Sequence, residues 1–104
     1  LANAEFVKVC AVSALVDGEA KSFMVRDQII ILAKWDGKIH ALSGECTHDG
    51  NDLDGSTVAD GQIECPRHGA KFDIMTGNVL RMPAVVGLHK FEVKEVNGEI
   101  FVAL

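Results

Sequence analysis

Two short clusters constrain this chain more than anything else in it: Cys46-Thr47-His48 and Cys65-Pro66-Arg67-His68. Each offers one thiolate and one imidazole, and 16 residues separate His48 from Cys65. A paired Cys/His set, repeated, fits a [2Fe–2S] centre in which two Cys hold one iron and two His hold the other. A shared centre requires the two segments to meet, so both read as loops at the tip of one lobe. No other stretch carries comparable chemistry.

The donor types suit that chemistry. Thiolate is soft and negative and stabilises ferric iron, whereas imidazole is neutral and donates less charge. A mixed set leaves a cluster less negative than four thiolates would, and its potential rises. The outer N–H of a bound imidazole at a loop tip meets solvent or a docking partner, an exit for an electron. A closed tetrahedral zinc site is the alternative, since zinc also takes four N/S ligands. Zinc ribbons and fingers use C-x₂₋₄-C, whereas the first pair here is C-x-H and no C-x₂-C occurs. A thiol activated by His48 or His68 is also conceivable, but it leaves the repetition of the pattern unexplained.

Turn dipeptides divide the rest of the chain. Asp17-Gly18, Asp36-Gly37, Asp60-Gly61 and Asn97-Gly98 favour tight hairpins because both residues tolerate positive φ. Between them lie segments rich in Val, Ile and Phe. These predict strands over Phe6–Cys10, Ser22–Arg26, Ile29–Trp35, Lys38–Ser43, Gln62–Cys65, Ala70–Ile74, Leu88–Val96 and Glu99–Leu104. The last two flank Asn97-Gly98 as the clearest hairpin, with Phe91 and Val93 alternating with Glu92 and Lys94. Ser13 is placed to cap one helical turn through Val16, and no long helix is indicated. The fold class is all-β, an antiparallel sandwich or small barrel. The stretch from about residue 44 to 83 differs. It holds both clusters, the polar run Asp49-Gly50-Asn51-Asp52-Leu53-Asp54-Gly55-Ser56 and Thr76-Gly77-Asn78. It reads as a small inserted lobe within one domain spanning residues 1–104.

With 104 residues, 48% of them hydrophobic, the chain is long enough for one modest core and argues against disorder. A metal centre would add stability to so small a domain. The longest apolar run, Ile29-Ile30-Ile31-Leu32-Ala33, is far short of the roughly 20 residues of a membrane span. Residues 1–15 show no basic start followed by a long apolar stretch, so no signal peptide is expected. The net charge of −5 argues against nucleic acid. It suits a basic patch on a protein partner, or simply keeps the chain soluble. The third cysteine, Cys10, sits in an apolar stretch and reads as a buried structural thiol. Without a disulfide framework the reducing cytoplasm is the natural compartment. His40 and His89 fall in predicted strands and read as surface or half-buried residues. Asp49, Asp52 and Asp54 read as solvated turn caps, or as part of a docking face. Arg67 and Lys71 lie close enough in sequence to offset that charge.

C-x-H followed after 16 residues by C-x₂-H resembles the signature of the Rieske family. The likeness runs on through His68-Gly69 and Phe72-Asp73-Ile74-Met75-Thr76-Gly77. Met82-Pro83-Ala84 is similar to the proline loop that covers the cluster in that family. The resemblance implies that Cys46 and Cys65 bind the buried iron and His48 and His68 the exposed one. In the high-potential respiratory type a disulfide joins the two loops; Asn51 and Arg67 stand at those positions here. Hydroxyls of a Ser and a Tyr bond cluster sulfurs in that type, and Ala70 and Phe72 take their places. Losing such donors lowers the potential, which implies a value on the order of −150 mV. Phe72 has a second reading, as filling of the lobe's own core.

By this resemblance the chain is expected to be a soluble, cytoplasmic, monomeric ferredoxin with one [2Fe–2S] cluster. It would pass single electrons from a flavoprotein ferredoxin reductase to a terminal aromatic-ring-hydroxylating oxygenase, with no bond-making chemistry, nucleic acid or membrane of its own. The alternatives are a small Rieske subunit of an oxidoreductase such as a nitrite-reductase-like enzyme, and a zinc module acting only as a binding domain.

Overall fold

The computed structural model describes residues 5–44, 55–65, 69–81 and 87–104. The strands are β1 (Phe6–Ala11), β2 (Ala20–Val25), β3 (Gln28–Trp35), β4 (Lys38–Ser43), β5 (Thr57–Ala59), β6 (Gln62–Glu64), β7 (Lys71–Asp73), β8 (Val79–Arg81), β9 (Lys90–Phe91), β10 (Val93–Val96) and β11 (Glu99–Ala103). They form three antiparallel sheets: β1-β11-β10, β2-β3-β4-β9, and a lobe sheet β5-β6-β7-β8. The all-β expectation holds. The lobe sheet falls inside the stretch singled out by composition.

The central sheet, β2-β3-β4-β9, is covered on both faces, which explains the long apolar run. Along β3, Ile30 and Leu32 face one core with Ala41, Ile100 and Val102. Ile31 and Ala33 face the other, with Leu42, Ile63, Cys65, Phe72 and Leu88. A strand buried on both faces loses the polar half of the alternation. Residues 30–33 are fully buried, and burying each large aliphatic side chain contributes about 1.5–3 kcal/mol. The lobe sheet therefore packs on one face of this sheet and β1-β11-β10 on the other.

Three of the four dipeptides make hairpin turns with positive φ at both positions: Asp36-Gly37, Asp60-Gly61 and Asn97-Gly98. Asp17-Gly18 does not, because β1 and β2 belong to different sheets. There the chain crosses between sheets, with the Gly18 N–H donating to the Lys34 carbonyl at 2.7 Å and Asp17 Oδ1 accepting from the Gly37 N–H at 3.0 Å. The β2–β3 turn is instead Arg26-Asp27, at φ 47° and 64°.

Other departures have physical causes. The Leu88–Val96 segment is two strands. Lys90–Phe91 pairs with β4, and after Glu92 the chain crosses to β11; the Glu92 carbonyl takes the Ala103 N–H at 2.9 Å. Such a switch closes a corner between packed sheets. Near residue 13 there is a 3₁₀ turn over Val12–Ala14 with Ala11 at its N-cap and no side-chain cap, so Ser13 lies inside the turn. Cys10 is half-buried on β1, where the register shifts; burial pushes its thiol pKa up and Lys21 opposes this. Among the described residues no helix is long and apolar enough to cross a membrane.

Candidate metal centre

Of the four predicted ligands, Cys65 is described; Cys46, His48 and His68 lie outside the described residues, as do Asn51, Arg67, the acidic run Asp49 to Asp54 and Met82-Pro83-Ala84. Cys65 follows β6 directly. Its N–H donates to the Ala70 carbonyl at 2.8 Å, and its carbonyl accepts from the Gly69 N–H at 3.0 Å. These bonds close the base of the loop that carries Pro66, Arg67 and His68. Gly69 at φ +75° turns the chain back, a conformation glycine adopts without a Cβ penalty.

The Cys65 side chain is a free thiol, 1% exposed, among Ile63, Ala70, Phe72 and Leu42. Pairing explains the setting. Ile63 sits opposite Phe72 and Glu64 opposite Lys71, so Cys65 shares the inner face with Ile63, Ala70 and Phe72. Glu64 and Lys71 point the other way. A buried reduced thiol at the base of a loop that also carries an imidazole fits a soft metal centre. Neither Ala70 nor Phe72, both fully buried, has a side-chain donor. Phe72 fills the core, as its second reading held.

Glycines fix where the other loops leave the scaffold. Gly44 precedes the first cluster, and its N–H donates to the Ile29 carbonyl at 2.8 Å. A Cβ there would lie 2.4 Å from Ile29 Cγ2. The chain returns at Gly55, whose N–H donates to the Ala20 carbonyl at 3.1 Å. After the segment containing Pro83, Leu88 donates to the Gly77 carbonyl at 2.7 Å. A Cβ on Gly77 would sit 2.1 Å from the Leu88 carbonyl oxygen. Sequence reasoning passed over these contacts, because a close approach of distant backbones leaves only a glycine as its trace.

His40 is more buried than the surface or half-buried position expected of it, being 7% exposed and facing the lobe side of the central sheet. Burial first, then Lys90 and Lys38, hold its imidazole pKa below the usual range, with Asp73 opposing. His89 is exposed and meets the Phe91 ring edge-on at 4.6 Å. Among the described residues no group of three or more His, Cys, Asp or Glu is placed to hold a metal ion.

The sequence profile of the Rieske [2Fe-2S] domain matches residues 5–92. This chain belongs to the Rieske [2Fe-2S] family. As a member it carries one [2Fe–2S] cluster, which sets aside the zinc module. It is 35% identical over 94 residues to human apoptosis-inducing factor 3, covering 90% of this chain but only 16% of that protein. It is 35% identical over 99 residues to the ferredoxin component of the alkene monooxygenase system of Xanthobacter autotrophicus, covering 94% and 80% of the two. Its fold matches a chain in the complex of reduced oxygenase and oxidized ferredoxin in carbazole 1,9a-dioxygenase. That match has a TM-score of 0.86 and 32% identity, and covers 97% of this chain and 94% of the other.

Proposed function

We propose that this Rieske domain is a one-electron carrier, with Cys46 and Cys65 holding the inner iron and His48 and His68 the outer one. The observation that carries the ligand reading is Cys65: a buried, unpaired thiol at the base of the loop bearing His68. When bound, the cluster accepts and releases single electrons without a bond being made. The chain's own residues do the rest. Ile63, Ala70 and Phe72 keep water from the Cys65 sulfur, and the Cys65–Ala70 and Gly69–Cys65 hydrogen bonds fix the loop. With Ala70 and Phe72 donating no hydrogen bond, the potential lies at the low end of the Rieske span.

The electrons come from a flavoprotein ferredoxin reductase and go to a terminal oxygenase of the aromatic-ring-hydroxylating kind. Relatives named as a ferredoxin or as ferredoxin components of oxygenase systems support that reading. So does the likeness to a ferredoxin solved together with its oxygenase. A monomer in the cytoplasm, built as one domain over 1–104 with its cluster lobe over about 44–83, suits a shuttle. A second reading, a relay domain within a longer chain, draws on the likeness to apoptosis-inducing factor 3, which is much longer than this chain.

Reconstitution tests the carrier role. Purified holoprotein is supplied to reductase–oxygenase pairs, and substrate-dependent oxygen uptake is measured with and without it. Uptake that depends on the added protein is expected. Independence across all pairs would favour the relay domain.

A further inference from the structure

The lobe sheet meets the central sheet at a corner made by β4, β7, β9 and the turn after β7. Leu88 N–H donates across it to the Gly77 carbonyl at 2.7 Å, while the Gly77 N–H to Asp73 carbonyl bond at 2.7 Å shapes the turn and the Ser43 N–H to His89 carbonyl bond at 2.8 Å holds the segment before β9 to β4. Inside it lies His40, 7% exposed. Lys90 Nζ is 3.3 Å from His40 Nδ1 and also donates to the Met75 carbonyl at 3.2 Å. An ammonium only donates, so Nδ1 is an acceptor and the neutral ring carries its proton on Nε2. That Nε2 is buried and has no hydrogen-bond partner among the described residues.

We propose that His40 and Lys90 form an acid-released latch that holds the turn after β7, and with it the cluster-bearing sheet, on the central sheet. Lys90 spans the corner by donating to a ring on β4 and to a carbonyl of the lobe. A proton on Nδ1 would remove the acceptor and set an imidazolium against an ammonium. Among the described residues the charged groups around the ring are Lys90 from β9, Lys38 on its own strand and Asp73 from β7; Glu95 on β10 lines a shallow groove that Lys38 and His40 also line. β3 presents Ala33 opposite. Burial and the two lysines disfavour the charged ring more than Asp73 favours it. The closed corner therefore binds fewer protons than the opened one, so the latch is complete above the ordinary His pKa. Its contribution is lost as pH falls through the depressed value. Neither residue is a proposed ligand, so this inference and the ligand assignment fail separately.

Hydrogen exchange read by mass spectrometry on the intact oxidised holoprotein tests the latch. Protection factors, corrected for the intrinsic rate, are followed from about pH 8 to about pH 5.5. In wild type, peptides spanning 73–81 and 87–92 are expected to lose protection several-fold, while the β10–β11 hairpin changes less. His40→Asn keeps an acceptor for Lys90 without a titrating ring, and its profile should be flat. An equal slope in that variant, or a flat wild-type profile, overturns the latch. Lys90→Met covers the case in which His40→Asn does not fold. Its lobe peptides should be under-protected already at about pH 8, and wild-type protection there overturns the proposal.

Discussion

Cys65 stands where a strand ends and a ligand loop begins, and it belongs both to the core and to the proposed centre. Cys65→Ser exchanges a soft thiolate for a poor ligand and should yield protein without the visible spectrum or stoichiometric acid-labile sulfide. A full spectrum in that variant would remove it from the ligand set. Phe72 tests the surroundings of the same sulfur. It is diagonal to Cys65 on the inner face of the lobe sheet, and diagonal neighbours lie about 7–8 Å apart, within reach of an aromatic side chain. Phe72→Tyr should raise the reduction potential if the new hydroxyl reaches a cysteine sulfur, because that bond strengthens as negative charge accumulates. An unchanged voltammogram together with a loss of about 1–3 kcal/mol in stability would mean the hydroxyl is buried without a partner. Cys65 stood out in the sequence because its chemistry is unusual, and Phe72 through the family resemblance alone. His40 did not, because a histidine between Ile39 and Ala41 reads like an alternating strand with one wet face. Only the lobe packed on that face makes it interior.

Elements were legible where turn chemistry is local. Asp36-Gly37, Asp60-Gly61 and Asn97-Gly98 declare their hairpins because the residue types suit positive φ. Arg26-Asp27 adopts the same conformation with residue types that do not advertise it. Strands β5 and β8 have three residues each and carry no period, whereas β6 and β7, equally short, were marked by the Asp60-Gly61 turn and the second cluster beside them. The split between β9 and β10 depends on which sheet captures each half, information held by distant strands. The glycines carry a prediction at this scale. Gly77 and Gly98 share nearly the same backbone, φ +82° and +78°, but nothing lies within 4 Å of a Cβ on Gly98, whereas one on Gly77 meets the Leu88 carbonyl. Gly98→Ala should cost about 1–2 kcal/mol for the left-handed backbone alone. Gly77→Ala adds about 1–3 kcal/mol of overpacking. Denaturant midpoints would measure the difference; equal losses would show that the approach to Leu88 yields without strain.

At the scale of the whole molecule, one sheet serves two cores of different dependence. The core between the central sheet and β1-β11-β10 draws on Leu15, Val25, Ile30, Leu32, Ala41, Ile100 and Val102, all outside the lobe. The other core includes Cys65 itself, with Ile63, Ala70, Phe72 and Ile74 from strands and turns only a few residues long. Short strands make few ladder bonds, and the apolar face of the lobe sheet leaves water only by packing on the central sheet. The lobe must therefore borrow stability from its packing on the central sheet and from whatever binds its loops. Removing the cluster should then act unevenly, because ligation contributes folding free energy to the part of the chain that holds it. In hydrogen exchange on apoprotein, amides of residues 57–65 and 69–81 are expected to lose protection by orders of magnitude. Those of the β10–β11 hairpin and of β3 residues bonded to β2 should stay close to their holoprotein values. Uniform loss along the chain would make the domain a single cooperative unit, with the cluster supporting both cores.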